Sequence, residues 1–253
     1  MKMISLQSGS NGNCLYVETN GTRLLFDAGI SASLAAGRLA THGRDIKDVD
    51  ALIISHDHGD HVRHAGVYHR KFGLPVYITP GTLNRALSRH SIGKVSNIMH
   101  FSAGEEIKIN GLSIQTIPSP HDCLEGSIFV ISSNGKRLGI ITDIGHVFSD
   151  LHSIISSLDA VFIESNYDTE MLTQGSYPDH LKKRILGPEG HLSNRESAEL
   201  LLAGVRLKWA CLAHISNNNN SPSTALRTHR EVLGNDLTLH IASRKGTSEI
   251  LVI

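Results

Sequence analysis

Six times along this chain a short apolar run ends on a residue able to hold a metal ion. Asp27 follows residues 23–26, His56 follows 51–54, and His121 closes an alternating stretch that reaches Ile117. Asp143 follows 137–141, Glu164 follows 160–163, and His214 follows 209–213. Strand ends gathered at one edge of a sheet make a rigid platform for ligands. Any one of these residues serves equally well as an ordinary turn residue. The recurrence of six is what a turn role does not explain.

Strands are expected at 1–7, 14–17, 23–26, 50–54, 75–79, 127–132, 137–141, 160–163, 209–213, 237–242 and 248–253, from alternation or from short apolar runs. Residues 107–117 form two strand-like arms around Asn110-Gly111, the strongest short hairpin signal. Helical spacing predicts helices over 31–41, 62–72, 81–90, 147–158, 177–186, 193–203 and 222–233. Ser193 or Asn194 is placed to cap the sixth of these, with Glu196 just inside as in a capping box. No composition shift or linker divides the chain, so a single domain over 1–253 is expected, with two mixed sheets and outer helices.

The densest ligand cluster is Ser55-His56-Asp57-His58-Gly59-Asp60-His61, which directly follows an apolar strand. His56 and His58 alternate, so they project to one side, and one ion is expected to take that pair while another takes Asp60 and His61. His121, Asp143 and His214 are the best donors to complete both sites, with Asp143 suited to bridging. A closed structural zinc site is the competing reading. Such sites are usually rich in Cys, whereas this set contains none.

The His-x-His-x-Asp-His turn, the upstream Asp27-Ala28-Gly29, His121, Asp143 and His214 occur in the order found in the metallo-β-lactamase superfamily, which this chain resembles over essentially its whole length. The resemblance implies an α/β chain folded as a four-layer αββα sandwich with a dinuclear centre. Within the superfamily, Ser8 to Asn13, Glu164 to Asp168 and Gly190-His191-Leu192-Ser193-Asn194 resemble the YycJ/WalJ group, regarded as DNA exonucleases acting from the 5′ end. The Gly-His-x-Ser element is also similar to one in the tRNA 3′-processing nucleases, where the His lies beside the scissile phosphate and is not a ligand. Carried over, His56, His58, Asp60, His61, His121, Asp143 and His214 are the metal ligands, and His191 is catalytic together with Asp60. The cofactors implied are two divalent ions, zinc or manganese with iron possible, and the substrate implied is DNA. A small-molecule hydrolase of the thioesterase or lactonase kind uses the same turn and is the alternative. The chain departs from class B lactamases in placing Asp143 where a Cys is common, and it is too short between Asp143 and His191 for the inserted domain of the longer RNA nucleases.

Other polar residues carry two readings each. Asp27 and Glu164 suit the support of ligand imidazoles through their second ring nitrogen, and Asp57 suits proton handling. Ser8 to Asn13 reads as a phosphate nest or a plain hairpin turn. Ser193 and Asn194 read as helix caps or as substrate-binding residues. Asn217 to Asn220 reads as a flexible loop first and as a substrate contact second. Lys182, Lys183, Arg184 and Arg195 read as a solvated face or as contacts to a DNA backbone. His64, His69, His146 and His152 match no ligand position.

Composition narrows the setting. Lys+Arg and Asp+Glu are 24 each, so overall charge demands neither nucleic acid nor membrane. No run approaches the roughly 18 apolar residues of a membrane span, and the first residues lack the apolar core of a signal peptide. Three cysteines without a CxxC pair argue against a disulfide framework, and a cytoplasmic location is expected. Oligomeric state is not legible.

Overall fold

Continuous apolar runs become parallel strands, because a strand flanked by helical crossovers is buried on both faces. The computed structural model describes every residue, Met1–Ile253, and divides into two units. The first unit comprises Met1–Pro118, Cys123–Ser127 and Ser243–Val252. Its strands are β1 (Lys2–Gln7), β2 (Cys14–Thr19), β3 (Thr22–Phe26), β4 (Ala51–Ile53), β5 (Val76–Ile78), β6 (Ile98–His100) and, from the far end of the chain, β14 (Leu251–Val252). They form one seven-stranded sheet in the order β14-β1-β2-β3-β4-β5-β6. The pairs from β14 to β3 are antiparallel, and those from β3 to β6 are parallel. Helices α1 (Ala32–Ala40), α2 (Gly59–Val62), α3 (Ala65–Phe72) and α4 (Pro80–Arg89) lie between the parallel strands in sequence. Their apolar faces share one core with the sheet, including Leu25, Leu39, Leu52, Tyr68 and Ala86. The hairpin β7 (Glu106–Ile109) and β8 (Leu112–Pro118) also belongs to this unit, and its turn places Asn110 at φ 49° and Gly111 at φ 79°, as an Asn-Gly hairpin requires.

The second unit comprises Ser119–Asp122, Ile128–Ala242 and Ile253. Its strands β9 (Ser127–Ser133), β10 (Lys136–Ile141), β11 (Ala160–Glu164), β12 (Trp209–Ala213) and β13 (Thr238–Ile241) run in the order β13-β12-β11-β10-β9. The β9-β10 pair is antiparallel and the remaining pairs are parallel. Every residue of β11 and β12 is buried. Five helices complete the unit: α5 (Leu151–Ser156), α6 (Thr169–Gln174), α7 (Asp179–Leu186), α8 (Asn194–Leu201) and α9 (Pro222–Leu233). Each unit therefore passes from antiparallel to parallel pairing, with four parallel strands side by side.

Two expected helices come out shorter, and each has a visible cause. The helix predicted over 62–72 starts early, at Gly59, and breaks at His64. There the Asp27-Ala28-Gly29 loop takes its bonds: Ala28 N–H donates to the His61 carbonyl at 2.6 Å, and His64 N–H donates to the Ala28 carbonyl at 3.0 Å. The helix predicted over 147–158 is confined to α5, because the chain before it is tied down at His146, whose Nδ1 meets the Pro188 carbonyl at 2.7 Å. Helix α6 and strand β6 were not expected. The signal for α6 is Asp168, whose carboxylate accepts from Met171 N–H as an N-cap. All three cysteines are free, and no helix is long and apolar enough to cross a membrane.

Candidate metal centre

Ligands in open α/β sheets gather outside the carboxyl ends of the parallel strands. In each unit the candidate residues occupy those ends. In the first unit Asp27 follows β3 and Ser55-His56 follow β4; in the second Asp143 follows β10, Glu164 ends β11 and His214 follows β12. Asp27, Asp143 and His214 have φ of 64°, 58° and 52°. Left-handed backbone at a non-glycine residue costs energy and clusters at functional sites. The other four such residues, Asn20, Ser91, Asn110 and Asn134, include three that precede a glycine in a tight turn.

In the first unit Asp27 organises the His-rich turn. Its Oδ1 accepts from Ser55 N–H and from the Ser55 hydroxyl, both at 2.8 Å. Its Oδ2 receives His61 Nδ1 at 2.7 Å. The Ser55 hydroxyl, having donated to Asp27, accepts from His56 Nδ1 at 2.9 Å. The His56 and His58 rings lie 4.7 Å apart, on one side as their alternation implied, and His56 and His61 lie 4.1 Å apart. Asp60 Oδ2 and His61 Nε2 approach to 3.6 Å, close enough to serve one ion together. Asp57 is buried, with Arg85 Nη1 3.2 Å from its Oδ2.

Asn13, read in the sequence only as part of the Ser8 to Asn13 loop, has a bracing role that the sequence did not disclose. Its N–H donates to the Asp60 carbonyl at 2.7 Å, and its side-chain amide reaches Asp60 Oδ2 at 3.2 Å and His61 Nε2 at 2.8 Å. Its Oδ1 accepts from Gly9 N–H at 2.7 Å. The Ser8 to Asn13 loop is thus a brace for the His-rich turn. Gly29 allows the close approach: a Cβ there would lie 1.6 Å from the Asp60 carbonyl oxygen and 2.5 Å from Asn13 N.

In the second unit Glu164 plays the part that Asp27 plays in the first. It is fully buried, and its Oε1 receives His191 Nδ1 at 2.8 Å and His214 Nδ1 at 2.9 Å. Its Oε2 accepts from Ile144 N–H and Leu192 N–H, each at 3.2 Å. Burial alone pushes such a carboxyl up, but the two imidazoles outweigh it and hold Glu164 well below the usual carboxylate range. His121 donates from Nδ1 to the Gly190 carbonyl at 2.9 Å and turns Nε2 toward Asp143 Oδ1, 3.8 Å away. Ligand-type atoms of Asp143, Glu164, His191 and His214 all lie within 4.8 Å of one another. The His191 ring is 5.0 Å from that of His121 and 5.2 Å from that of His214.

The donor chemistry fits divalent metal ions. Five imidazoles, those of His56, His61, His121, His191 and His214, have Nδ1 engaged by a protein oxygen. That arrangement fixes the tautomer and leaves Nε2 as the lone-pair nitrogen, as metal-binding histidines require; on His61 that nitrogen is met by the Asn13 amide at 2.8 Å. Asp60 accompanies His56 and His61 in the first unit, and Asp143 accompanies His121, His191 and His214 in the second, so each unit offers nitrogen and oxygen donors suited to divalent metals.

Most of the remaining candidates have partners within the protein. Ser193 caps α8 in a full capping box with Glu196, and Asn194 is buried, pairing both ways with Asn220. Ser193 thus serves as a helix cap, and Asn194 as a buried link between α8 and the Asn run. Asn220 also donates to the carbonyls of Ser165 and Asn166, and Asn219 is buried as well, so this half of the Asn run is packed structure and not the flexible loop expected. Lys182 donates to the Thr173 carbonyl, Arg184 pairs with Asp122, and Arg195 pairs with Glu199. Lys183 lines a cavity of about 300 Å³ with Arg184, Asp122 and Glu189.

Comparison with known proteins places these features in a family. Residues 22–215 match the model of the beta-lactamase superfamily domain. The chain is 36% identical over 233 residues to exodeoxyribonuclease YycJ of Bacillus anthracis, covering 90% of this chain and 87% of that one. It is 36% identical over 227 residues to exodeoxyribonuclease WalJ of Streptococcus pneumoniae, covering 88% and 84%. Among solved structures it is similar to the metallo-β-lactamase fold protein YhfI of Bacillus subtilis, with a TM-score of 0.74, 13% identity and 98% of each chain covered.

Proposed function

The chain belongs to the metallo-β-lactamase-fold superfamily, in the group of the YycJ and WalJ exodeoxyribonucleases, and from that premise we propose that it is a metal-dependent nuclease that degrades DNA from the 5′ end. The observation that carries the reading is 36% identity spread over nine-tenths of the chain. Residues 1–253 act as one domain in this account. His56, His58, Asp60, His61, His121, Asp143 and His214 would hold the two divalent ions. Zinc or manganese is the natural occupant of such a set, with iron also accepted, and the setting is cytoplasmic.

When bound, two divalent ions make water nucleophilic near neutral pH and offset charge on the phosphate oxygens. The chain's own groups do the rest. Asp27 and Glu164 fix the imidazole tautomers, since their oxygens receive Nδ1 of His61, His191 and His214. His191, less deeply buried than His214, presents Nε2 to a phosphate oxygen or to the leaving oxygen. General acid help of that kind contributes about 10²–10⁴ in rate.

The test is a labelled duplex carrying a 5′-phosphate, incubated with the protein and manganese. Stepwise loss of nucleotides from the 5′ end, abolished by chelation, is expected. An intact duplex together with turnover of a glutathione thioester would instead identify a small-molecule hydrolase.

A further inference from the structure

Zero net charge conceals a polarised chain. Residues 61–104 contain six of the 24 Lys and Arg and none of the 24 Asp and Glu. The fold keeps that surplus at the surface: Arg63, Arg70, Lys71, Arg89 and Lys94 are exposed and Arg85 is half-buried. Only Arg85 meets a carboxylate, that of Asp57. Arg70 donates to the carbonyls of Ile92 and Lys94, and Lys71 to the Ser33 hydroxyl, so neither charge is neutralised. The surplus begins at the His-rich turn itself. Arg63 Nε donates to the Gly59 carbonyl at 2.6 Å, and His90 Nε2 meets the Asp57 carbonyl at 2.9 Å. A Cβ built on Gly59 would lie 3.2 Å from Arg63 Nη2 and 3.1 Å from the His90 ring, so the two side chains stand over the middle of the turn.

We propose that this acid-free stretch grips the substrate's backbone, with Arg63, Arg89 and Lys94 each taking a phosphodiester other than the one cleaved. The inference rests on the nuclease reading and deepens it. Phosphate contacts fix the register of a strand without reading its sequence, which suits a nuclease that must hold successive nucleotides at one metal centre. Val67, Leu87 and Met99 add exposed apolar groups to the same stretch, so an anionic membrane is the rival partner. The placement of Arg63 and His90 over the His-rich turn favours the nucleic acid.

Binding of a fluorescein-labelled phosphorothioate oligonucleotide, which resists cleavage, to the metal-loaded protein tests this by anisotropy across a salt series. The combined variant R63Q/R89Q/K94Q is expected to lower the salt slope by about 2 and the affinity at about 0.1 M salt by about 100-fold, at roughly 0.7 per single-strand phosphate contact. R89Q alone lowers the slope by about 0.7 and serves if the triple variant does not fold. Control variant K108Q/K208Q/R227Q, with equal charge change elsewhere, keeps wild-type binding. Unchanged binding by R89Q and the triple variant, or equal loss in the control, overturns the proposal. So does loss of binding to phosphatidylserine vesicles with DNA affinity intact. If wild type binds with the full slope yet hydrolyses no DNA, the nuclease reading fails and the grip stands. If it hydrolyses DNA and the triple variant binds as wild type does, the grip fails alone.

Discussion

Replacing Glu164 by Gln removes one charge and one acceptor from a carboxylate whose two oxygens serve four donors. Oε1 receives the Nδ1 atoms of His191 and His214, and Oε2 receives two backbone N–H groups, those of Ile144 and Leu192. An amide keeps only one oxygen. Turned toward the imidazoles, it faces its NH₂ against the two backbone donors; turned the other way, it faces NH₂ against the two rings. Either orientation leaves two buried donors unsatisfied at about 1–3 kcal/mol each, or about 2–6 kcal/mol in all. Loss of the charge also frees both rings to rotate, and removing such a support typically weakens metal affinity by about 10–100-fold. Urea unfolding of the chelated protein, followed at the single tryptophan, Trp209, measures the first effect. Competition with a chelating dye measures the second. Wild-type values in both assays would refute the argument that one buried carboxylate organises this half of the site.

Three further outcomes follow from individual contacts. His229 is buried between Ala225 and Ser197, and burial depresses it from 6.5 to about 4, against the opposing hydrogen bond to the Ala225 carbonyl. Stability should therefore be complete above about pH 6.5 and should fall as pH drops toward 4, where only the unfolded chain takes the proton. The loss is about 3 kcal/mol at 1.36 kcal/mol per unit, and H229Q should flatten that slope in urea titrations at several pH values. G29A drives a methyl into the Asp60 carbonyl, so it should cost about 3 kcal/mol of stability, the upper end for overpacking, and should weaken metal binding in the dye assay. S193A removes a capping box and should cost about 1 kcal/mol while leaving KM for DNA unchanged; a raised KM with normal stability would restore Ser193 as a substrate contact.

What the sequence disclosed and what it hid have physical reasons. Most of the parallel strands were legible because burial on both faces makes them continuous apolar runs, and the polar residue ending such a run marked the sheet edge; β6, whose three residues are half-buried or exposed, offered no such run. Asn-Gly announced the hairpin between β7 and β8 because both positions need positive φ. The break at His64 was not legible, since it depends on Ala28, 36 positions earlier, supplying a donor and an acceptor. Asn13 and Asn220 were read as loop residues because asparagine in a Gly- or Asn-rich stretch looks like turn chemistry. Their contacts are with residues distant in sequence. The acid-free stretch was written in the sequence throughout, but a net charge of zero averages it away.

One comparison tests the account most directly: metal content and nucleotide release from 5′-phosphorylated DNA, measured on the same preparations of wild type, H191A and H214A. The account predicts that wild type holds two metal equivalents and releases nucleotides. H191A should keep both equivalents and lose about 10²–10⁴ in rate, whereas H214A should lose one equivalent. Metal loss in H191A with retention in H214A would show the two histidines' roles to be exchanged. A fully loaded wild type that releases nothing would contradict the nuclease itself.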